Sequence, residues 1–232
     1  MAWRAKATGA YSKDSAEGKE NVKEIARMLD NAGWDIKAMA ALLGNGAGES
    51  GLNPWRWESD NVPTVAQFNS WTPAEALTHG YGIFGYTPAN KYINSTSAGL
   101  YDGYSPNFAD SPGTPQDGKA QVSYFLDTVE NNWTGGNYNY YYDDFITYGV
   151  NIDNFYFITF EDFIAGDDDL ANLVGAFELK YEKPADWAAA SSYFYRVQAA
   201  EDWLQFLKDE GYGKKKDIII FWRNHKLKGF RL

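Results

Sequence analysis

The chain of 232 residues is poor in residue types on which several enzyme classes depend. It has no cysteine, which excludes a disulfide framework, a cysteine-ligated zinc site and a cysteine nucleophile. Its two histidines, His79 and His225, argue against a histidine-rich metal centre and against a Ser-His-Asp triad. Apolar runs are short throughout, so we expect neither a membrane span nor a signal peptide, and the sequence predicts no metal or other cofactor.

Negative charge dominates the sequence and is unevenly distributed. The net charge is −10, yet residues 213–232 carry seven Lys or Arg side chains against one Asp. An acidic body argues against binding nucleic acid, because the neutralisation of phosphates requires a basic face. With 44% apolar residues, the sequence predicts one globular domain over residues 1–212. Residues 213–232 are predicted to be a basic tail that serves as a docking segment or an extension rather than a membrane-surface element.

Apolar residues recur at helical spacing along most of the chain, which predicts a mainly α-helical (α+β) fold. The prediction depends on five apolar stripes, which start at Val22, Ile36, Val122, Leu170 and Tyr193. Strand signals are confined to residues 81–86 and 154–159, where aromatic and β-branched residues concentrate, and they predict a small hairpin or sheet. Residues 131–144 are aromatic and polar without a helical period, so we expect no helix there.

Glu49 follows one of these stripes, and its position makes it a candidate general acid. The stripe consists of four apolar residues at i, i+3, i+4 and i+7, namely Ile36, Met39, Ala40 and Leu43. Asp35 is suited to cap the start of this helix. If the helix continues through Gly46 and Gly48, the carboxyl of Glu49 lies near the buried face. A carboxyl partly withdrawn from water can hold a proton for donation, although a Glu at a helix end is more often a solvated surface charge.

Three segments follow one another along the chain: residues 48–54 (GESGLNP), 81–89 (YGIFGYTPA) and 181–186 (YEKPAD). They resemble, in the same order, three motifs of the phage tail lysozymes: a Glu-Ser motif, a Tyr-Gly-Leu-x-Gln-Trp-Thr-Pro segment and an aromatic-Glu-x-Pro element. The first motif is also distantly similar to that of lytic transglycosylases. Two positions depart from the second motif, since Gly85 stands where a Gln is common and Tyr86 where a Trp is common. The similarity covers roughly residues 10–210.

This resemblance implies a lysozyme-like fold, with a helical core and a small hairpin or sheet beside a substrate cleft. It implies a glycosidase that cleaves the β-1,4 bond between N-acetylmuramic acid and N-acetylglucosamine in peptidoglycan, with Glu49 as the acid. A virion location in the phage tail, local opening of the bacterial wall, and other tail proteins as partners of the basic tail are expected. Aromatic side chains suit a glycan groove, and the residues predicted to bind substrate are Ser50, Trp55, Tyr81, Tyr86 and Thr87.

Several alternatives remain open at this point. Glycosidic cleavage normally uses a second group opposite the acid, and the nearest candidates are Glu58 and Asp60, although each also fits a solvated loop charge. Without a second carboxylate, Glu49 alone can direct the transglycosylase outcome, in which the muramic 6-hydroxyl closes an anhydro ring. A catalytically inactive glycan-binding or structural tail module is the alternative from another class, and the departures at Gly85 and Tyr86 keep it open. The scarcity of metal ligands disfavours an amidase or endopeptidase.

Overall fold

The structure is a computed structural model that describes residues 3–4, 11–54, 78–86, 88–89, 91–92, 118–184 and 189–213. Within these residues the chain is mainly α-helical, as predicted. The elements follow in the order α1 (Ala16–Asn31), α2 (Ile36–Glu49), α3 (Gly118–Asn132), α4 (Tyr138–Thr147), α5 (Asp153–Tyr156), α6 (Phe160–Ala165), α7 (Leu170–Phe177), a π-helical turn (Glu178–Glu182) and α8 (Ala189–Asp209). No helix in this part of the chain combines the length and apolar character needed to cross a membrane.

Helices α2 and α8 pack against each other at the centre of the fold, and α7 packs against both. Gly44 lies at the closest point between α2 and α8. A Cβ atom on Gly44 would stand 2.5 Å from the carbonyl oxygen of Arg196 and 2.7 Å from the Cβ of Ala200. Only glycine therefore allows the two backbones to approach this far. Glycine in this segment serves helix packing, and the helix continues unbroken to Glu49.

The predicted apolar stripes of α1 and α2 are confirmed. All four residues of the first stripe are fully buried: Val22, Ile25, Ala26 and Leu29. Gly33 follows the end of α1 with a φ of 86°, in the left-handed region that favours glycine. Asp35 caps α2 as predicted, because its side chain accepts the backbone N–H of Lys37 at 2.8 Å. The stripes that start at Val122, Leu170 and Tyr193 likewise fall on α3, α7 and α8.

Two predictions for aromatic segments are wrong. Residues 154–159, predicted as a strand, overlap the end of α5 and the turn after it, because Ile152 and Phe155 both bury their side chains from one short helical turn. Residues 131–144 include the start of α4, which Asn137 caps by accepting a backbone N–H two residues further on at 3.1 Å. The buried residues of α4 are Tyr141 and Phe145, one helical turn apart. In both segments, packing against neighbouring helices outweighs the local preference of aromatic residues for strands.

Residues 81–86 form a tight turn, where the sequence predicted a hairpin or sheet. Two backbone hydrogen bonds close it: Tyr81 N–H donates to Tyr86 O at 3.1 Å, and Tyr86 N–H donates to Tyr81 O at 2.8 Å. Gly82 and Gly85 allow the turn, with φ values of 86° and 57°. Tyr81 and Tyr86 form an isolated antiparallel bridge. The described residues contain no β-strand. The predicted basic tail lies outside the described residues from residue 214 onward.

Candidate active site

The carboxyl of Glu49 faces a cavity of about 590 Å³ at the C-terminal end of α2. Its side chain is 30% exposed, so the group is accessible yet partly shielded from water. Four aromatic residues line the cavity: Phe84, Tyr86, Tyr124 and Tyr181. Polar and charged side chains complete the lining, among them Lys91, Thr128, Asn132, Glu182 and Lys183. Aromatic faces and convergent polar groups are the combination that binds sugars, through their C–H faces and their hydroxyls.

A tight turn follows Glu49 and anchors the end of α2. Gly51 and Leu52 both adopt left-handed backbone conformations, with φ values of 58° and 61°. Ser50 is buried at this turn, where its hydroxyl donates to the carbonyl of Ile83 at 2.6 Å and accepts the N–H of Leu52 at 2.9 Å. The end of α2 is therefore tied directly to the turn of residues 81–86.

Gln121 of α3 connects the same turn to the chain that follows Glu49. Its side-chain oxygen accepts the N–H of Ile83 at 2.8 Å, and its side-chain nitrogen donates to the carbonyl of Pro54 at 2.9 Å. The hydroxyl of Tyr86 donates to the backbone carbonyl of Gln121 at 2.9 Å. Sequence reasoning missed Gln121, although a polar residue four positions before Phe125, on the apolar face of the helix, was a readable signal.

Gly85 leaves room for the acid. A Cβ atom at this position would stand 2.7 Å from Oε2 of Glu49, and the φ of 57° also favours glycine. Any side chain at position 85 would therefore clash with the carboxyl of Glu49. The departure from the resembled motif at this position changes the immediate surroundings of Glu49.

Arg196 of α8 binds three carboxyl groups at once. Its Nη2 donates to Oε1 of Glu49 at 2.5 Å, its Nη1 donates to Oε2 of Glu182, and its Nε lies 3.2 Å from Oε1 of Glu178. Nη1 also donates to the side-chain oxygen of Asn45 at 2.9 Å. The guanidinium is only 5% exposed, so it pairs with these groups away from bulk water. One positive charge thus faces three acids.

This imbalance keeps protons on the cluster. Burial raises the pKa of Glu178 to about 7, although Arg196 opposes the shift. Burial also raises the pKa of Glu182 well above its usual value; Arg196 opposes this, and direct interaction with Glu49 adds to it. Burial alone would lower the pKa of Arg196, but the three carboxyls raise it and keep the guanidinium charged. Near neutral pH these shifts favour the protonated form of Glu182 and partial protonation of Glu178, both beside Glu49.

The structure brings two of the predicted site residues together at the cavity, Glu49 and Tyr86. Ser50 and Tyr81 lie behind the cavity wall, buried in the contacts that shape the two turns. The other predicted site residues lie outside the described residues: Trp55, Glu58, Asp60 and Thr87.

Sequence reasoning missed Glu178, Glu182 and Arg196 as site residues. Glu182 stands inside the third motif, and Glu178 precedes it by four residues. Arg196 lies three residues after Tyr193 and four before Ala200, so it falls on the predicted apolar stripe of α8. A basic residue on a buried stripe requires an acidic partner, but the sequence does not reveal which acids meet it.

Comparisons with known proteins identify a family and a relative that the chain resembles. The family model described as phage tail lysozyme matches residues 20–207, a range that includes Glu49 and Arg196. Morphogenesis protein 1 of Bacillus phage B103 is 26% identical over 208 residues, which cover 87% of this chain and 44% of that protein. The chain therefore spans less than half the length of this relative.

Proposed function

Because the chain belongs to the phage tail lysozyme family, we propose that it is a peptidoglycan glycosidase with Glu49 as its general acid. The bond cleaved is the β-1,4 link between N-acetylmuramic acid and N-acetylglucosamine. One observation supports this most strongly: the carboxyl of Glu49 faces an aromatic-walled cavity of about 590 Å³. The proposed setting is the phage tail, where the protein opens the bacterial wall during infection, with residues 213–232 binding other tail proteins.

The proposed reaction begins with proton donation. Protonated Glu49 gives its proton to the glycosidic oxygen, the C–O bond breaks, and positive charge develops on the sugar ring. Water then adds to that ring carbon. With a nucleophile on the far side, Glu49, now a carboxylate, takes up the proton that the water loses; with a base on the far side, that base takes it up. The lining residues Tyr86, Tyr124 and Tyr181 are proposed to pack against the sugar faces and to keep bulk water from the reacting oxygen.

Glu182 does not act as the group opposite the acid. It lines the cavity on the same side as Glu49 and interacts directly with its carboxyl, so a sugar does not fit between the two. Glu58 and Asp60 stay our candidates for a nucleophile or base on the far side. Trp55 and Thr87 stay proposed substrate contacts, whereas Ser50 and Tyr81 are proposed to act by holding the turns beside the cavity.

The products test the proposal. Purified peptidoglycan is incubated with the protein, and the released fragments are analysed by mass spectrometry before and after borohydride reduction. Reducible muramic ends are the expected result and indicate hydrolysis with a second group opposite Glu49. Anhydro-muramic ends indicate that Glu49 works alone, as a transglycosylase. If the protein binds several wall types and releases nothing, the inactive glycan-binding module replaces the enzyme; the direct pairing of Glu49 with Arg196 is the observation that favours that alternative.

A further inference from the structure

We propose that Glu182 is a positioning residue for Glu49 and stores the proton that Glu49 delivers to the glycosidic oxygen. Arg196 holds the two carboxyls side by side throughout the transfer. The inference rests on the proposed function, because it concerns the same site. It adds a role for Glu182, which is a different residue from the proposed general acid.

Arg196 forms an ion pair with both carboxyls, those of Glu49 and Glu182. One terminal nitrogen of its guanidinium donates to Glu49 and the other donates to Glu182. Since the same cation pairs with both groups, it stabilises whichever of them is ionised. Glu182 interacts directly with the carboxyl of Glu49, and its Oε1 is buried without a hydrogen-bond donor among the described residues. A proton can therefore pass between Glu49 and Glu182 while the heavy atoms stay in place. The side chain of Glu182 is only 6% exposed, compared with 30% for Glu49, so the stored proton is the better shielded of the two.

The charged groups around the pair favour a proton on Glu182, because negative charge outnumbers positive charge there. Glu178 lies on the same π-helical turn as Glu182, and Asp144 of α4 adds negative charge near Glu178. Arg196 is the cation in contact with Glu49, Glu178 and Glu182 among the described residues. Burial raises the pKa of Glu182 well above its usual range, and the neighbouring Glu49 adds to this. Glu178, whose Oε1 accepts the hydroxyl of Ser192 at 2.5 Å, does not line the cavity.

Local backbone geometry places Glu182 at the pair. The π-helical turn Glu178–Glu182 is closed by the N–H of Lys183, which donates to the carbonyl of Glu178 at 2.8 Å. Lys183 then adopts a left-handed conformation with a φ of 54°, which is unusual for a residue with a side chain. π-helical turns are rare and occur often at functional sites. Here the wider turn directs both Glu178 and Glu182 towards Arg196.

The proposed transfer balances. In the resting site, Glu182 carries the proton and Glu49 is paired with Arg196 as a carboxylate. When the substrate binds, the O–H bond of Glu182 breaks as the O–H bond of Glu49 forms, and Glu49 passes that proton to the leaving glycosidic oxygen. Glu182 is left as a carboxylate paired with Arg196. When the water that adds to the sugar gives its proton to Glu49, that proton returns to Glu182, so a full cycle consumes no proton.

The pH dependence of kcat tests this role. Glu182→Gln keeps the size of the side chain but cannot store a proton, and its amide favours ionised Glu49 by donating to it. We expect kcat to fall at least about tenfold and the alkaline limb of its pH profile to move to lower pH by about one unit or more. Glu182→Asp should restore part of kcat and part of the original position of the alkaline limb. The matched control is Glu178→Gln on the same turn, which should move the alkaline limb less than Glu182→Gln does.

A second measurement does not depend on activity. The infrared C=O band of a protonated carboxylic acid should be present in the wild-type protein at neutral pH and weaker in Glu182→Gln. A lower kcat with an unmoved alkaline limb, or infrared spectra without this difference, would overturn the inference and leave Glu182 a structural residue. The proposed function fails separately, if the wild-type protein releases no fragments or Glu49→Gln is as active as the wild-type protein.

Discussion

Glu178 is the most deeply buried carboxyl of the site, and its protonation links pH to stability. Its pKa is raised to about 7, mainly by burial, whereas an ordinary Glu loses its proton near 4.5. Between these values the folded protein holds a proton that the unfolded chain has lost. Stability due to this group is therefore fully present below pH 4.5 and decreases as the pH rises towards 7.

Glu178→Gln should remove the decrease in stability that Glu178 causes as the pH rises from 4.5 towards 7. We expect the wild-type protein to lose up to about 3 kcal/mol of unfolding free energy through this group across the interval, and the variant to lose correspondingly less. Urea unfolding at several pH values checks this. Equal slopes of unfolding free energy against pH in the two proteins would show that Glu178 is ionised in the fold.

Gly85 should tolerate no side chain, because of its contact with the acid. In Gly85→Ala the new Cβ would stand 2.7 Å from Oε2 of Glu49, so the carboxyl must move. We expect a loss of activity of at least about tenfold, since general acid catalysis depends on placement. Gly149→Ala is the matched control, because Gly149 also has a left-handed φ of 73° but has open space around it.

Each of these two alanine variants should lose about 1 kcal/mol of stability from backbone strain. Only Gly85→Ala should lose activity. Thermal unfolding and the rate of wall-fragment release, measured on the same preparations, separate strain from displacement of the carboxyl. A Gly85→Ala protein with full activity would mean that Glu49 does not act from its observed position.

At the scale of elements, the contact between α2 and α8 depends on glycine at one point. Gly44→Ala should destabilise the fold by about 2 kcal/mol, because the added Cβ meets backbone atoms of α8 that cannot move without the whole helix. Gly48→Ala meets only the side chain of Arg196 at 3.3 Å, and the gain in helix propensity offsets that contact. We expect its stability to stay within about 1 kcal/mol of the wild-type value. Urea midpoints measure both changes, and equal losses in the two variants would contradict this reading of the interface.

The elements that the sequence predicts well are those with a long apolar stripe. The stripes of α1, α2, α7 and α8 repeat over two or more turns, so their burial determines the helix regardless of context. α5 has four residues and α4 is rich in tyrosine, so neighbouring helices decide their structure. The π-helical turn continues directly from α7, and periodicity alone gives no reason to separate the two.

The residues of the candidate site also divide into those that the sequence predicts and those that only the packed fold brings together. Glu49 is predictable because one helix and one motif locate it. Arg196 lies 147 residues away along the chain, and its contacts with Glu49, Glu178 and Glu182 exist only after α2, α8 and the π-helical turn have packed. The position of Gln121 on the apolar face of α3 was a readable signal, but its two hydrogen bonds join segments that are distant in sequence and could not be predicted.

At the scale of the whole molecule, the net charge of −10 opposes the approach to anionic wall polymers. Repulsion of this kind is screened within about 10 Å at 0.1 M salt. We therefore expect fragment release from walls rich in anionic polymers to become faster as salt is raised from low concentration to about 0.15 M. Walls stripped of those polymers are the control and should show a smaller change. A rate that falls with salt on both substrates would indicate that local positive charge, such as Lys91 and Lys183 at the cavity, governs binding instead.

Glu49 is our proposed general acid of a wall-cleaving enzyme, and the rate of fragment release by Glu49→Gln tests this role most directly. The substitution keeps the size of the side chain and removes its proton. We expect kcat to fall by at least about 100-fold, with the melting temperature and peptidoglycan binding preserved. Glu161→Gln on the exposed start of α6 is the control and should match the wild-type rate. A Glu49→Gln protein that releases fragments as fast as the wild-type protein would contradict the account.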